Sequence, residues 1–268
     1  MKTNMKPKIL ITNDDGYKAR GINLLARMMT SYGQVTVIAP KTPQSAKSAA
    51  LTLGTRMYLD KISEEEGLRT FALDGTPVDC VKMGVRLFQE EGGMPDLLLS
   101  GINHGANTST ASLYSGTLGA AAEAAVYDIP AVGLSLDSHD AEADFSGALK
   151  YAAIVVENCL ATPPAKGTYI NVNVPDIAEN EILGIRFARR GNGRWVKEYD
   201  AETDETGRPC FVMRGHFQDL ETSSEMPQDG SLAGDHTALS CGYVSIVAHR
   251  IDNTDYDEIS RLAGNWKL

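Results

Sequence analysis

Residues 8–22 read KILITNDDGYKARGI. The apolar run Ile9-Leu10-Ile11 stops at Asn13, Asp14, Asp15 and Gly16, and a helical pattern starts near residue 21. A short β-branched run that ends in a polar turn and feeds a helix is the opening of a βαβ unit, with its strand buried on both faces. Two adjacent carboxylates at a strand end repel each other, so an ordinary strand end disfavours them unless a cation sits between them.

The pattern repeats along the chain. Apolar runs at 34–39 (QVTVIA), 96–100 (DLLLS), 130–136 (PAVGLSL) and 168–174 (TYINVNV) alternate with helical patterns near 21–31, 77–89, 116–127 and 144–160. This predicts an α/β, Rossmann-like three-layer core with a mainly parallel sheet over residues 1–175. Thr76-Pro77 reads as an N-cap followed by the first helical position. From about residue 176 to 268 the character changes. Strand-like segments at 182–188, 208–213 and 243–248 are separated by polar, Gly-containing stretches such as 190–194 and 226–236. This predicts a hairpin-rich C-terminal extension, an arm that packs on another subunit. The tail 252–262 reads either as a short helix or as a solvated acidic end.

Composition narrows the functional class. At 268 residues with 43% hydrophobic content the chain is long enough for a large α/β core. No apolar run is long enough for a bilayer and no signal peptide is visible, so no membrane partner is expected. Cys80, Cys159, Cys210 and Cys241 are scattered without a CxxC pair, which reads as free thiols in a reducing cytoplasm. The net charge of −10 disfavours nucleic-acid polymers. Residues 1–60 nevertheless carry nine Lys/Arg against three Asp, or +6, while the remainder is 16 − 32 = −16. The acidic pair thus lies in the one locally basic part of an acidic protein, which suits a small anionic ligand.

In open α/β sheets ligands gather beyond the carboxyl ends of the strands. Three such ends are unusually polar here: Asn13-Asp14-Asp15-Gly16, the stretch KTPQSAKSAA (41–50) with Ser45 and Ser48, and SGINHGAN (100–107) with Asn103 and Asn107. If those strands are neighbours, Asp14, Asp15, a serine and Asn103 enter one crevice as an all-oxygen set, which suits Mg²⁺ or Mn²⁺. Such a cation would offset the repulsion between the aspartates and activate a bound water. Ser115-Gly116-Thr117 opens a small-residue helix whose N-terminus can receive an anion. Each motif also has a plain structural reading, as an Asx-capped turn, a Gly-rich loop or an N-cap.

Taken in order, ITNDDGYKARGI, VIAPKTPQSAKSAALTL, GTPVDCV, PDLLLSGINHGAN, LYSGTLGAAAEA, IPAVGLSL and the late GDHTALSCGYVSI closely resemble the SurE family of survival-protein nucleotidases. The resemblance implies a metal-dependent phosphatase of nucleoside 5′- and 3′-monophosphates, with some members also cutting polyphosphate. It implies one divalent ion per subunit, Mg²⁺ or Mn²⁺, held by Asp14, Asp15, Ser45 and Asn103, with Asp14, Asp15 and Asn103 as the catalytic set. Asn13, Asn107, Ser115, Gly116 and Thr117 would border the phosphate or substrate. The family also implies a C-terminal segment exchanged between subunits of a homodimer or homotetramer. Three departures stand out. Gln44 and Ala46 replace the arginine and glycine of the family's RSGAS, with Lys47 as a substitute positive charge; Ser109-Thr110-Ala111 stands where the family often has Gly-Asp-Asp; and Ala49 replaces an asparagine.

Competing readings are a phosphatase with an aspartyl-phosphate intermediate, a non-catalytic nucleotide sensor, and an enzyme for another small phosphate ester or short polyphosphate. Haloacid-dehalogenase-like enzymes space their aspartates one residue apart, whereas Asp14 and Asp15 are adjacent. A dinucleotide oxidoreductase or P-loop enzyme lacks its motif: no GxGxxG follows the first strand and no GxxxxGK is present.

Overall fold

The computed structural model of the protein describes residues 6–266. Lys2 of the basic stretch and the outermost residues of the 1–175 and 176–268 division lie outside them. The opening stretch folds as expected, into β1 (Lys8–Thr12) and α1 (Arg20–Met29). β2 (Gln34–Pro40), the β3 (Leu59–Glu65) and β4 (Leu68–Leu73) hairpin, α2 (Pro77–Glu90) and β5 (Leu97–His104) follow. α3 (Gly116–Val126), β6 (Ala131–Leu136), α4 (Ser146–Ala161) and β7 (Thr168–Val174) complete the first two thirds. The last third holds β8 (Ile185–Phe187), β9 (Gly193–Val196), β10 (Tyr199–Thr203), β11 (Pro209–Met213), β12 (His216–Asp219), α5 (Asp235–Ser240), β13 (Val244–Arg250) and α6 (Tyr256–Asn265).

The central sheet has the order β3-β4-β2-β1-β5-β6-β7-β13-β8. β4, β2, β1, β5, β6 and β7 run parallel; β3 pairs antiparallel at one edge and β13 antiparallel to β7 near the other. Side-chain alternation along the strands builds two core layers. Ile9 and Ile11 of β1 pack in one layer with Ile22, Leu25 and Met29 of α1 and Ala148, Ala152 and Val156 of α4. Leu10, between them, faces the opposite layer with Val81, Val85 and Phe88 of α2 and Ala120, Ala121 and Ala124 of α3. The sheet is therefore covered on both faces, which is why its strands read as continuous apolar runs.

Strand order reverses between β1 and β5, since β1 connects onward to β2 on one side while β5 lies on the other. The crevice of a doubly wound sheet opens beyond the strand ends at this place. Both aspartates and Asn103 lie there, at the ends of β1 and β5.

The structure departs from the sequence-based expectations in several places. Residues 59–73 carry no expected element yet form β3–β4: β3 is an edge strand with an acidic, almost wholly exposed face, so it shows no apolar alternation. β5 does not end at Ser100. A bulge, two residues (Gly101-Ile102) opposite Leu134 alone, carries the strand on through His104. The expected strand 182–188 shortens to Ile185–Phe187, and the tail resolves as a helix, α6. The arm contains four short strands in two antiparallel pairs, β9–β12 and β10–β11, where the sequence suggested one. Helix α5 was also unforeseen.

Candidate active site

Asp14 follows β1 and is buried, 5% exposed. Its Oδ1 accepts the Thr117 hydroxyl at 2.6 Å. Gly116 opens α3 so close to this carboxylate that a Cβ there would stand 2.8 Å from Asp14 Cβ and 3.0 Å from its Oδ2. The glycine is thus required by the approach of the aspartate, and the serine before it caps the helix by accepting the Leu118 N–H. Burial pushes the Asp14 carboxyl up to about 6, opposed by the Thr117 hydrogen bond and reinforced by the charge of Asp15. Burial likewise raises Asp15, against the pull of His104, whose backbone N–H points at Asp15 Oδ2 from 3.4 Å.

Asn103 stands beyond the bulge of β5. Its Nδ2 donates to the carbonyls of His104 and Gly105 at 3.2 and 2.8 Å, which assigns the other end of the amide, Oδ1, as the free acceptor. Ser45 lies on the irregular loop 41–58. That loop is tied down on several sides: Gln44 N–H donates to the Asp14 carbonyl (2.7 Å), Ser48 N–H to Tyr114 O (3.0 Å), and Thr52 N–H to the Asp79 carboxylate (3.2 Å). Asp79 belongs to the capping box that Thr76 forms at the start of α2, so the expected cap also anchors the site loop.

Asp14, Ser45, Asn103, Asn107 and Ser115 line one cavity of about 500 Å³; Asp15 is outside that lining and is linked to it through the backbone N–H of His104, which does line it. Among the described residues no three His, Cys, Asp or Glu side chains gather as a metal cluster. The donors here are two carboxylates, a hydroxyl and an amide oxygen. That set is unsuited to zinc and fits a hard cation such as Mg²⁺ or Mn²⁺, and two desolvated aspartates to which, among the described residues, no cationic side chain is bonded have the electrostatics such an ion would relieve.

The remaining sequence-derived residues take different places. Asn107 is nearly buried and locked: its N–H donates to Asn173 Oδ1, its carbonyl accepts from Asn171, and its Nδ2 donates to Ser135 Oγ at 2.8 Å. Asn13 is fully buried and staples the turn, exchanging hydrogen bonds with Gly16 at 3.1 Å in both directions. Thr117 is fully buried and its hydroxyl is directed at Asp14. Lys47 is exposed and outside the cavity lining, whereas Arg214, from just beyond β11, lines it. Trp195, Glu198 and Met213 of the arm complete the wall, with His104, Ala111 and Tyr114 from the core. Sequence reasoning missed this wall, because an arm residue reveals its destination only through long-range packing.

Residues 9–197 match the family described as Survival protein SurE. A protein named 5′-nucleotidase SurE from Cytophaga hutchinsonii is 37% identical over 263 residues, covering 98% of both chains. One of the same name from Phocaeicola vulgatus is 38% identical over 263 residues, again with 98% of each covered. The crystal structure of the SurE protein of Aquifex aeolicus superposes with a TM-score of 0.80 at 31% identity, covering 96% of this chain and 99% of that one. In sequence and in fold, the chain belongs to the SurE family.

Proposed function

We propose that the protein hydrolyses nucleoside 5′- and 3′-monophosphates to nucleoside and phosphate, using one divalent ion, Mg²⁺ or Mn²⁺, per subunit. Membership of a family whose relatives are named 5′-nucleotidases supports a nucleotidase. The observation that carries the metal-dependent reading is that Asp14, Ser45 and Asn103 line one cavity, with Asp15 next to Asp14 in sequence and both carboxylates desolvated.

Asp14, Asp15, the Ser45 hydroxyl and Asn103 Oδ1 would hold the ion. Once bound, the ion supplies charge neutralisation of the phosphoryl group and a water of lowered pKa. The chain's own groups then do the positioning. Thr117 fixes the carboxylate plane of Asp14. The Ser115 hydroxyl accepts from Leu118 N–H, so its own proton is free to donate to a phosphoryl oxygen, and the N-terminus of α3 favours the anion there. Asn107, held rigid by Asn171, Asn173 and Ser135, presents a preorganised wall. In this division of labour residues 1–175 form the catalytic core, and 176–268 form the arm and the strand β13 that returns to the sheet.

A homodimer or homotetramer accompanies this reading. The β10–β11 hairpin stands with Tyr199, Phe211 and Met213 63–72% exposed, and α6 buries none of its residues. An isolated two-stranded hairpin is at best marginal in water, so a partner subunit would stabilise both elements. Among the described residues no helix is long and apolar enough to cross a membrane. All four cysteines are free thiols, in keeping with a cytoplasmic location.

The test is to strip the protein with chelator and measure phosphate release from a panel of 5′- and 3′-nucleoside monophosphates, with Mg²⁺ or Mn²⁺ restored. Release that requires metal is the expected result. Tight nucleotide binding without release would make the protein a sensor instead.

A further inference from the structure

The cavity is far larger than a phosphate ion needs, and the oxygen donors account for only part of its lining. Beyond them, Trp195, Tyr114, Met213 and Ala111 give the cavity an apolar side, next to His104, Glu198 and Arg214. Trp195 is 43% exposed, yet it is held in place. It pairs across β9–β12 with Phe217, edge to face at 6.5 Å, and Phe217 in turn meets His236 edge to face at 5.3 Å. Two glycines make this relay possible. A Cβ at Gly191 would stand 2.1 Å from His236 Nδ1, and one at Gly193 would stand 2.1 Å from Phe217 Cζ. His236 Nε2 lies 2.9 Å from Asp219 Oδ1, which closes the far end of the relay.

A second, buried device fixes this relay against the catalytic core. Asp235 is fully buried, and its carboxylate accepts the N–H groups of Ser109 (3.0 and 3.1 Å), Gly191 (3.0 Å) and His236 (2.9 Å). The Ser109 hydroxyl, also fully buried, reaches the carbonyls of Gly191 and Gly193 at 2.9 and 3.3 Å. Ser109 lies two residues beyond Asn107, in the stretch where this chain departs from the family pattern. That stretch clamps the arm to the active-site loop.

We propose that Trp195 is the platform on which the nucleobase of the substrate stacks, and that Ser109 and Asp235 are positioning residues that hold this platform beside the phosphate site. A planar, π-faced group is what an exposed, edge-supported indole receives best, and stacking of this kind tolerates any base. Arg214, also on this wall, is engaged by Glu202 at 2.5 Å and by Asp200, and Glu198 lines the cavity beside it, so this side offers no uncompensated cation for a second anionic group and suits a neutral base. This inference rests on the nucleotidase reading of the same site.

The experiment compares nucleoside 5′-monophosphates with ribose 5-phosphate, which has the phosphate and sugar but no base. Trp195→Ala should raise KM for the nucleotides roughly tenfold, leave kcat within a small factor, and leave ribose 5-phosphate unchanged. Trp195→Phe should retain most of the nucleotide affinity. Ser109→Ala should raise KM for nucleotides in the same selective way, which a general loss of structure would not do. Equal effects of Trp195→Ala on both substrates, or none on either, would overturn the proposal. Should no phosphate ester be hydrolysed, the reaction reading fails while the platform is still tested by binding. Trp195 and Trp266 are the two tryptophans of the chain, so in a Trp266→Phe background the fluorescence reports Trp195. Saturable quenching by adenosine supports the platform; its absence overturns it.

Discussion

Replacing Asp14 by asparagine should make the metal-free protein more stable while abolishing its turnover. The Asp14 carboxyl sits at about 6 where an unfolded chain has it near 4, chiefly because burial disfavours the charged form. The folded state therefore binds this proton more tightly than the unfolded one. Stability contributed by the group is greatest at low pH, falls as pH rises from about 4 through 6, and above that carries the full deficit of about 3 kcal/mol. The substituted amide would keep an oxygen for the Thr117 hydroxyl and carry no charge to desolvate. At roughly 2 °C per kcal/mol for a chain of this size, and allowing for imperfect pairing of the new amide protons, the midpoint should rise by about 2–5 °C at pH 7.5. The assay is thermal unfolding of chelator-treated wild type and variant from pH 4 to 8, repeated with Mn²⁺. Wild type should lose stability across the acid window and regain it with metal. The variant should show a flatter profile, keeping the contributions of Asp15, Asp137 and the two shifted histidines, His236 and His249, and no metal shift. A variant that melts several degrees below wild type, or one that still releases phosphate with metal, would refute the assignment of Asp14 as a desolvated metal ligand.

Other perturbations follow from single contacts. Thr117→Val removes the 2.6 Å hydrogen bond to Asp14; metal affinity, read from activity against Mn²⁺ concentration, should weaken roughly 10–100-fold, with kcat largely recovered at saturating metal. Gly116→Ala forces a methyl to within 2.8 Å of Asp14 Cβ, and displacing that carboxylate by part of an ångström should lower kcat/KM about 100-fold while circular dichroism stays unchanged. Phe211→Glu puts a charge on the exposed face of the β10–β11 hairpin; light scattering after size-exclusion chromatography should show a smaller assembly than wild type, and an unchanged mass would remove the hairpin from the interface.

What the sequence reveals depends on how local the cause is. β1, β2, β6 and β7 could be read because strands buried on both faces are continuous apolar runs bounded by polar turns. The Thr76-Pro77 helix start and the Ser115 cap were legible because capping acts over three residues. β3 and β10 were not, since each is exposed along nearly its whole length and owes its extension to a neighbouring strand. In the site, Asp14, Asp15 and Asn103 declared themselves as polar strand ends, and their meeting was foreseeable only on the supposition that the strands are neighbours. The roles of Thr117 and Asp235 were hidden because each is defined by a partner more than a hundred residues away. Trp195 was hidden for the same reason, since nothing nearby in sequence says which cavity it walls.

The position of β13 has a consequence for the order in which the protein is made. β7 leaves the ribosome with one edge paired to β6 and the other waiting for a strand that begins some 70 residues later, at Val244. At synthesis rates of roughly 5–20 residues per second that edge stays open for about 4–14 s. During that interval Asp14, Asp15, Ser45 and Asn103 have already emerged, whereas Asp235, which clamps the arm, has not. The nascent chain thus passes through a stage with the residues of the proposed ion site in place but an unsealed sheet, and an open edge of this kind is where newly made chains pair with one another. Chaperone association with the newly made chain should fall once β13 has paired with β7.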